Sequence, residues 1–246
     1  MDALEKRTSA LQPSLVPVPP RGSGVCWTCH GPSAAGYCDS CARQRERVAK
    51  PLRGLVPITL YWKSSETEYG AFYDHLKRYK NHPVSDSMGI DLAALVVRFM
   101  RDHRECLEQK FGPWDSIVTV PSSSLGKRDG THPLAALIRR TSMGTQLGEP
   151  CLTATGVHHE TRRASDELFR TTRSVVDERI LLLDDTCVSG AKIQSAASRL
   201  SLDGAKVVCG MVIGRQVNPE YNDESKALFE RLSAEPFDFG TCCVEA

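Results

Sequence analysis

The stretch Arg179-Ile180-Leu181-Leu182-Leu183-Asp184-Asp185-Thr186-Cys187-Val188-Ser189-Gly190-Ala191-Lys192 constrains the fold more than any other part of the chain. Four consecutive large apolar residues between charged neighbours predict a strand at Arg179 to Leu183 that is buried on both faces, the pattern of a parallel sheet. The strand ends on two adjacent carboxylates and passes through a short loop of hydroxyl residues and glycine. A helix is expected next, over residues 190 to 202, with Ile193, Ala196, Ala197 and Leu200 on its buried face.

The same alternation runs through the preceding and following segments. Ile58 to Trp62, Ser116 to Val120, Cys151 to Thr155 and Lys206 to Ile213 read as strands, while 67 to 80, 86 to 110, 132 to 142 and 223 to 233 read as helices. Strands alternating with helices predict an α/β fold, a mostly parallel sheet with helices on both faces, over residues 55 to 246. In such sheets ligands gather beyond the carboxyl ends of the strands, which directs attention to Pro121, Asp184 and Gly214.

Residues 1 to 24, with Pro13, Pro17, Pro19 and Pro20 close together, read as a disordered or extended leader. Residues 25 to 45 hold Cys26-x2-Cys29 and Cys38-x2-Cys41, two turns that can each present two thiolates to one ion. Four thiolates leave no position for water, so the spacing predicts a small zinc ribbon with structural Zn2+, to which His30 is surplus; the alternative is two redox pairs or free thiols. Cys242 and Cys243 have no evident partners in the sequence. The formal net charge of +1 gives no whole-chain attraction for nucleic acid or membrane, so the basic run Arg43 to Arg47 is a local feature. No apolar run is long enough for a membrane span, and a cytoplasmic location is the expectation.

Physical chemistry assigns roles in the loop. A helix N-terminus offers unpaired N–H groups and partial positive charge, which favours a phosphate. Gly190 permits close approach, and Thr186 and Ser189 add hydroxyl donors. Asp184 and Asp185 repel that phosphate and suit sugar hydroxyls or a Mg2+ ion instead. The alternative is a plain strand followed by an acid-capped helix, with Asp185 or Ser189 as the cap.

With those residues in view, the segment resembles the phosphoribosyl pyrophosphate (PRPP) signature of type I phosphoribosyltransferases. The resemblance implies that Asp184 and Asp185 face the ribose hydroxyls. It also implies that Thr186, Cys187, Val188, Ser189, Gly190, Ala191 and Lys192 hold the 5′-phosphate, with Mg2+ accompanying PRPP. A four-cysteine module ahead of such a domain is similar to the ComF family. Leu76-Lys77-Arg78-Tyr79-Lys80 and Val118-Thr119-Val120-Pro121 also match that family's pattern. Where ComF proteins continue with an Arg-Gly-Phe-Asn-like segment, this chain has Lys127-Arg128-Asp129-Gly130-Thr131-His132-Pro133.

The resemblance implies transfer of phosphoribosyl to a small-molecule acceptor with release of pyrophosphate. Ser122, Ser123, Ser124, Lys127 and Arg128 would form the pyrophosphate loop, and Asp184, Asp185, Lys127 and Arg128 the catalytic set. Arg162, Arg163 and Arg170 would lie in a loop over the site, His158 and His159 could form a proton-transfer pair, and Arg215 could line the rim. Two other readings stay open: a non-catalytic PRPP or nucleotide adaptor, and a protein associated with DNA uptake that makes weak nucleic-acid contact through its ribbon. The acceptor and the oligomeric state are not specified by any motif.

Overall fold

A computed structural model of the chain describes residues 2–62, 71–81, 87–122, 132–156 and 162–244. Six strands occur among them: β1 (Leu55–Trp62), β2 (Ser116–Thr119), β3 (Leu152–Ala154), β4 (Phe169–Thr171), β5 (Arg179–Cys187) and β6 (Lys206–Val217). The helices are α1 (Ala3–Ser9), α2 (Asp39–Arg45), α3 (Ala71–Asn81), α4 (Ser87–Phe111), α5 (Pro133–Ile138), α6 (Ala191–Leu202) and α7 (Asp223–Ser233).

The main sheet has the order β1-β6-β5-β2, and every pairing in it is parallel. Alternating side chains of β5 enter opposite cores, which is what an all-apolar strand requires. Leu181 and Leu183 pack with Leu92, Leu95, Val96 and Phe99 of α4. Ile180 and Leu182 pack with Ile193, Ala196 and Leu200 of α6. Helices therefore cover both faces, as the sequence pattern implied. A small antiparallel pair, β3 with β4, stands apart from this sheet; β4 is only three residues long and shows too little pattern to be read from sequence.

Several boundaries differ from the sequence reading: β1 begins at Leu55, not Ile58, and β6 runs to Val217, not Ile213. Strand β5 does not stop at Leu183 but continues through both aspartates to Cys187, because β6 is long enough to pair with it there: Asp184 lies opposite Val212 and Thr186 opposite Gly214. Helix α5 ends at Ile138, earlier than the expected residue 142.

The expectation of a disordered leader is corrected. Asp2 caps α1 by accepting from the Glu5 N–H at 2.7 Å, and Glu5 accepts in turn from the Asp2 N–H at 3.2 Å, a capping box. Leu11 and Leu15 are buried against the α4 core. Val16 bridges antiparallel to Leu60, and the Thr59 hydroxyl accepts from the Val16 N–H at 2.8 Å and donates to its carbonyl at 2.9 Å. The segment's composition is poor in apolar residues, but its few are spaced to cover α4 and the open edge of β1. That edge would otherwise present unpaired backbone groups.

The cysteine module is continuous with the second core. Cys26, Cys29 and Cys41 pack with Leu52, Leu55, Leu182, Cys187 and Ile193. No helix among the described residues is long and apolar enough to cross a membrane.

Candidate functional site

The carboxyl end of β5 delivers Asp184 and Asp185 into a setting almost closed to solvent, at 2% and 5% exposure. Two adjacent buried carboxylates are costly unless cations and donors compensate them. Lys192, from the first turn of α6, places Nζ 3.7 Å from Asp184 Oδ2. The Asp185 N–H donates to Asp184 Oδ1 at 2.9 Å, and the Thr186 hydroxyl donates to Asp185 Oδ1 at 3.0 Å.

A third partner was not assigned a role from sequence. His132, buried just ahead of α5, accepts the Leu134 N–H on Nδ1 at 3.2 Å and so caps that helix. With Nδ1 accepting, Nε2 is the nitrogen that bears a proton, and it faces Asp184 Oδ1 at 3.6 Å and Asp185 Oδ2 at 3.9 Å. These distances exceed those of direct hydrogen bonds, so the interaction is electrostatic. The local signal was the His-Pro pair opening an apolar helix; nothing local ties it to acids fifty residues on.

Burial on its own raises the Asp184 carboxyl. The Lys192 ammonium, His132 and the backbone N–H of Asp185 outweigh it and hold the group below the ordinary value of 3.8. Reciprocally, the Asp184 charge raises Lys192, against the effect of burial. The ligand atoms of His132, Asp184 and Asp185 lie within 4.8 Å of one another, so the trio could hold a cation. Hard cations prefer its oxygens to its imidazole.

Beyond the acids, Gly190 adopts a left-handed conformation with φ 76° and opens α6 with no side-chain cap on its N-terminal N–H groups. Gly190 itself offers no side chain, and the Ser189 hydroxyl accepts weakly from the first N–H of the helix, that of Ala191, at 3.4 Å. The alternative of an acid-capped helix is therefore not what forms: neither Asp185 nor Ser189 is the N-cap. Ser122 lies exposed just past β2, near a cleft of about 60 Å³ lined by residues including Thr119, Pro121 and His132. Ser123, Ser124, Lys127, Arg128, His158 and His159 lie outside the described residues.

The four cysteines come together as their spacing implied, with all four sulfurs within 4.8 Å of one another. Cys29 Sγ and Cys38 Sγ are 3.8 Å apart. Zinc–sulfur bonds of about 2.3 Å at tetrahedral angles give an edge of about 3.8 Å, so the set fits zinc. The Cys41 N–H approaches Cys38 Sγ at 3.5 Å. Neighbouring S–H donors hold the Cys29 thiol well below its usual range. His30 stands outside the four-sulfur set: its ring donates from Nδ1 to the Pro19 carbonyl at 2.9 Å, and burial lowers its pKa.

Arg215 takes a position other than the one expected on the rim. It is 6% exposed and donates to the carbonyls of Val188 at 2.7 Å and Cys187 at 3.2 Å. Its burial opposes the charge, but the Cys29 thiolate beside it reverses that and holds the guanidinium well above its ordinary value. Arg215 therefore ties the cysteine module to the backbone of the candidate phosphate loop.

Arg162 and Arg163 lie next to Ala164, which packs against Ala191 at the start of α6. They line a cleft of about 380 Å³ with Arg43, Arg47 and Glu46 from the end of the cysteine module. Gln44 clamps its two walls, donating to the Arg162 carbonyl at 2.9 Å and accepting from the Ala164 N–H at 2.7 Å. Arg170 sits on β4.

Neither protein-family models nor curated proteins give a match to this chain.

Because the folded state lowers the Asp184 pKa, its ionised form contributes stability above the unfolded value, and that contribution is lost as pH falls through the folded value. The stability advantage of wild type over Asp184→Asn should stay constant from neutrality down to about the ordinary 3.8 and shrink below it. Urea unfolding at a series of pH values measures this, and an advantage that grows in acid contradicts the assignment.

Proposed function

We propose that this protein binds PRPP with Mg2+ at the end of β5 and transfers the phosphoribosyl group to a small-molecule acceptor, releasing pyrophosphate. The observation that carries the reading is the pairing of two buried carboxylates with an uncapped, glycine-opened helix N-terminus at the carboxyl end of a central parallel strand. Ligands of α/β sheets sit at such positions. The resemblance to type I phosphoribosyltransferases, and to the ComF family through the added cysteine module, supplies the substrate class.

In this reading the N–H groups of Thr186 to Lys192 receive the 5′-phosphate, with the Ser189 hydroxyl as a further donor. Asp184 and Asp185 accept from the ribose 2′- and 3′-hydroxyls. Charge-assisted hydrogen bonds of this kind are the strong ones. Lys192 and His132 favour the ionised form of Asp184 before substrate arrives, so little reorganisation is needed on binding. Mg2+, when bound, would neutralise charge developing on the pyrophosphate. As the C1′–oxygen bond to pyrophosphate breaks and the bond to the acceptor forms, the buried carboxylates face a sugar ring that gains positive charge. Lys127 and Arg128 are assigned to the leaving group by resemblance.

The test is calorimetric titration of PRPP with Mg2+ into wild type and into the double variant Asp184→Asn, Asp185→Asn. Each hydrogen bond to a charged group is worth about 1.5–3 kcal/mol, so the double variant should lose at least about tenfold in affinity. Equal affinity, or no binding by a folded wild type, would overturn the proposal.

One observation favours a second reading, weak nucleic-acid contact. The arginine-lined cleft beside the cysteine module gathers Arg43, Arg47, Arg162 and Arg163 in a chain of almost no net charge. Phosphate contacts on single strands contribute a salt slope of about 0.7 each. The double variant Arg43→Ala, Arg47→Ala should bind a short single-stranded oligonucleotide more weakly and with a salt slope flatter by about 1.4; an unchanged slope rules the cleft out.

A further inference from the structure

The C-terminal cysteines, which have no evident partners in the sequence, acquire them in the fold. Residues 237 to 244 run back over α4. Phe237, Phe239 and Cys243 enter the α4 core, and Arg98 lies over the Phe239 ring at 3.6 Å. Gln12 donates to the Phe237 carbonyl at 2.7 Å, so the N-terminal segment also holds this run in place. The path brings Cys242 to Cys106 of α4, with the two sulfurs 3.3 Å apart. His103 stands one turn earlier on the same helix, at 2% exposure. One ligand atom from each of His103, Cys106 and Cys242 lies within 4.8 Å of the others.

We propose that His103, Cys106 and Cys242 form a second metal site, for a borderline-soft divalent ion such as Zn2+, that clamps the C-terminal segment to α4. Residues three apart on a helix share a face, so His103 and Cys106 form a natural two-ligand pair. The His103 ring meets the Phe239 carbonyl through Nε2 at 2.8 Å. That hydrogen bond selects the tautomer with its proton on Nε2 and a lone pair on Nδ1. Ligating histidines are characteristically oriented in this way, by donating their other ring N–H to a carbonyl. Two thiolates and an imidazole are a donor set that suits zinc and not magnesium or calcium.

The sulfurs are closer than the tetrahedral edge of about 3.8 Å seen between Cys29 and Cys38. An ion would part them by about half an ångström, a small side-chain rotation at two half-buried cysteines. As a thiol, Cys106 donates to the His103 carbonyl at 3.0 Å. As a ligand it gives that proton up. Loading is therefore Zn2+ plus two thiols going to the bis-thiolate complex with release of two protons, and no electron transfer is involved. Three protein ligands leave one tetrahedral position for water or another donor.

The experiment is zinc stoichiometry by native mass spectrometry on the full chain, prepared with thiol-free reductant and excess Zn2+. Two zinc ions per wild-type chain are expected, falling to one in Cys242→Ser and in Cys106→Ser. Cys26→Ser should also lose one ion, but Cys26 is in the core and its substitution risks the fold. Cys242→Ser, in the half-buried terminal segment, carries the test without it. Cobalt loading gives a second readout: wild type should show more thiolate-to-cobalt absorption than Cys242→Ser. One zinc per wild-type chain with no change in Cys242→Ser would overturn the proposal, as would a Cys106–Cys242 disulfide that persists under these reducing conditions. Failure here leaves the PRPP reading untouched, because the two sites share no residue.

Discussion

Burial of two adjacent carboxylates at the end of the central strand is the constraint around which this fold is arranged. Left alone, Asp184 and Asp185 would take up protons or draw water into the sheet. The chain surrounds them instead with a lysine from the following helix, a histidine from the start of α5 and donors from the strand itself. Three separate stretches of sequence thus converge on one charge problem. Removing a single partner from such a set is destabilising out of proportion to the pair's own worth, since it leaves a buried charge uncompensated. The arrangement favours the ionised form of Asp184, which a simple apolar strand end would not need.

The cysteine module belongs to the same design. Arg215 reaches from β6 between Cys29 and the carbonyls of Cys187 and Val188, so its charge is balanced by thiolate on one side and backbone oxygen on the other. The ribbon is therefore coupled to the shape of the loop after β5, not tethered beside it. Gln44 makes a second join, stitching α2 to residues 162 to 164.

Much of this was legible in sequence because it rests on local pattern. Four apolar residues in a row at 180–183, bounded by charges, read as a strand buried on both faces, and two Cys-x2-Cys turns suit one shared ion. What was not legible depended on long-range geometry. Residues 1 to 24 have the composition of a disordered leader, yet Leu11, Leu15 and Val16 fall where α4 and the edge of β1 need covering. His132 carried no local sign of facing the acids. Arg215 was expected at the rim because it follows a strand, but the cysteine module occupies that side and converts it to a buried bridge. Cys106 and Cys242 are far apart in sequence and meet only because the C-terminal run folds back on α4.

The central claim is that the loop after β5 is where a phosphorylated ribose sits. Hydrogen–deuterium exchange of the full chain, with and without PRPP and Mg2+, measures this directly, because phosphate binding would engage the amides of residues 186 to 192. Slowed exchange concentrated in the peptide spanning Asp184 to Lys192 is the expected result. Unchanged exchange there at saturating PRPP, or protection confined to the arginine-lined cleft at Arg43 to Arg47, would contradict it.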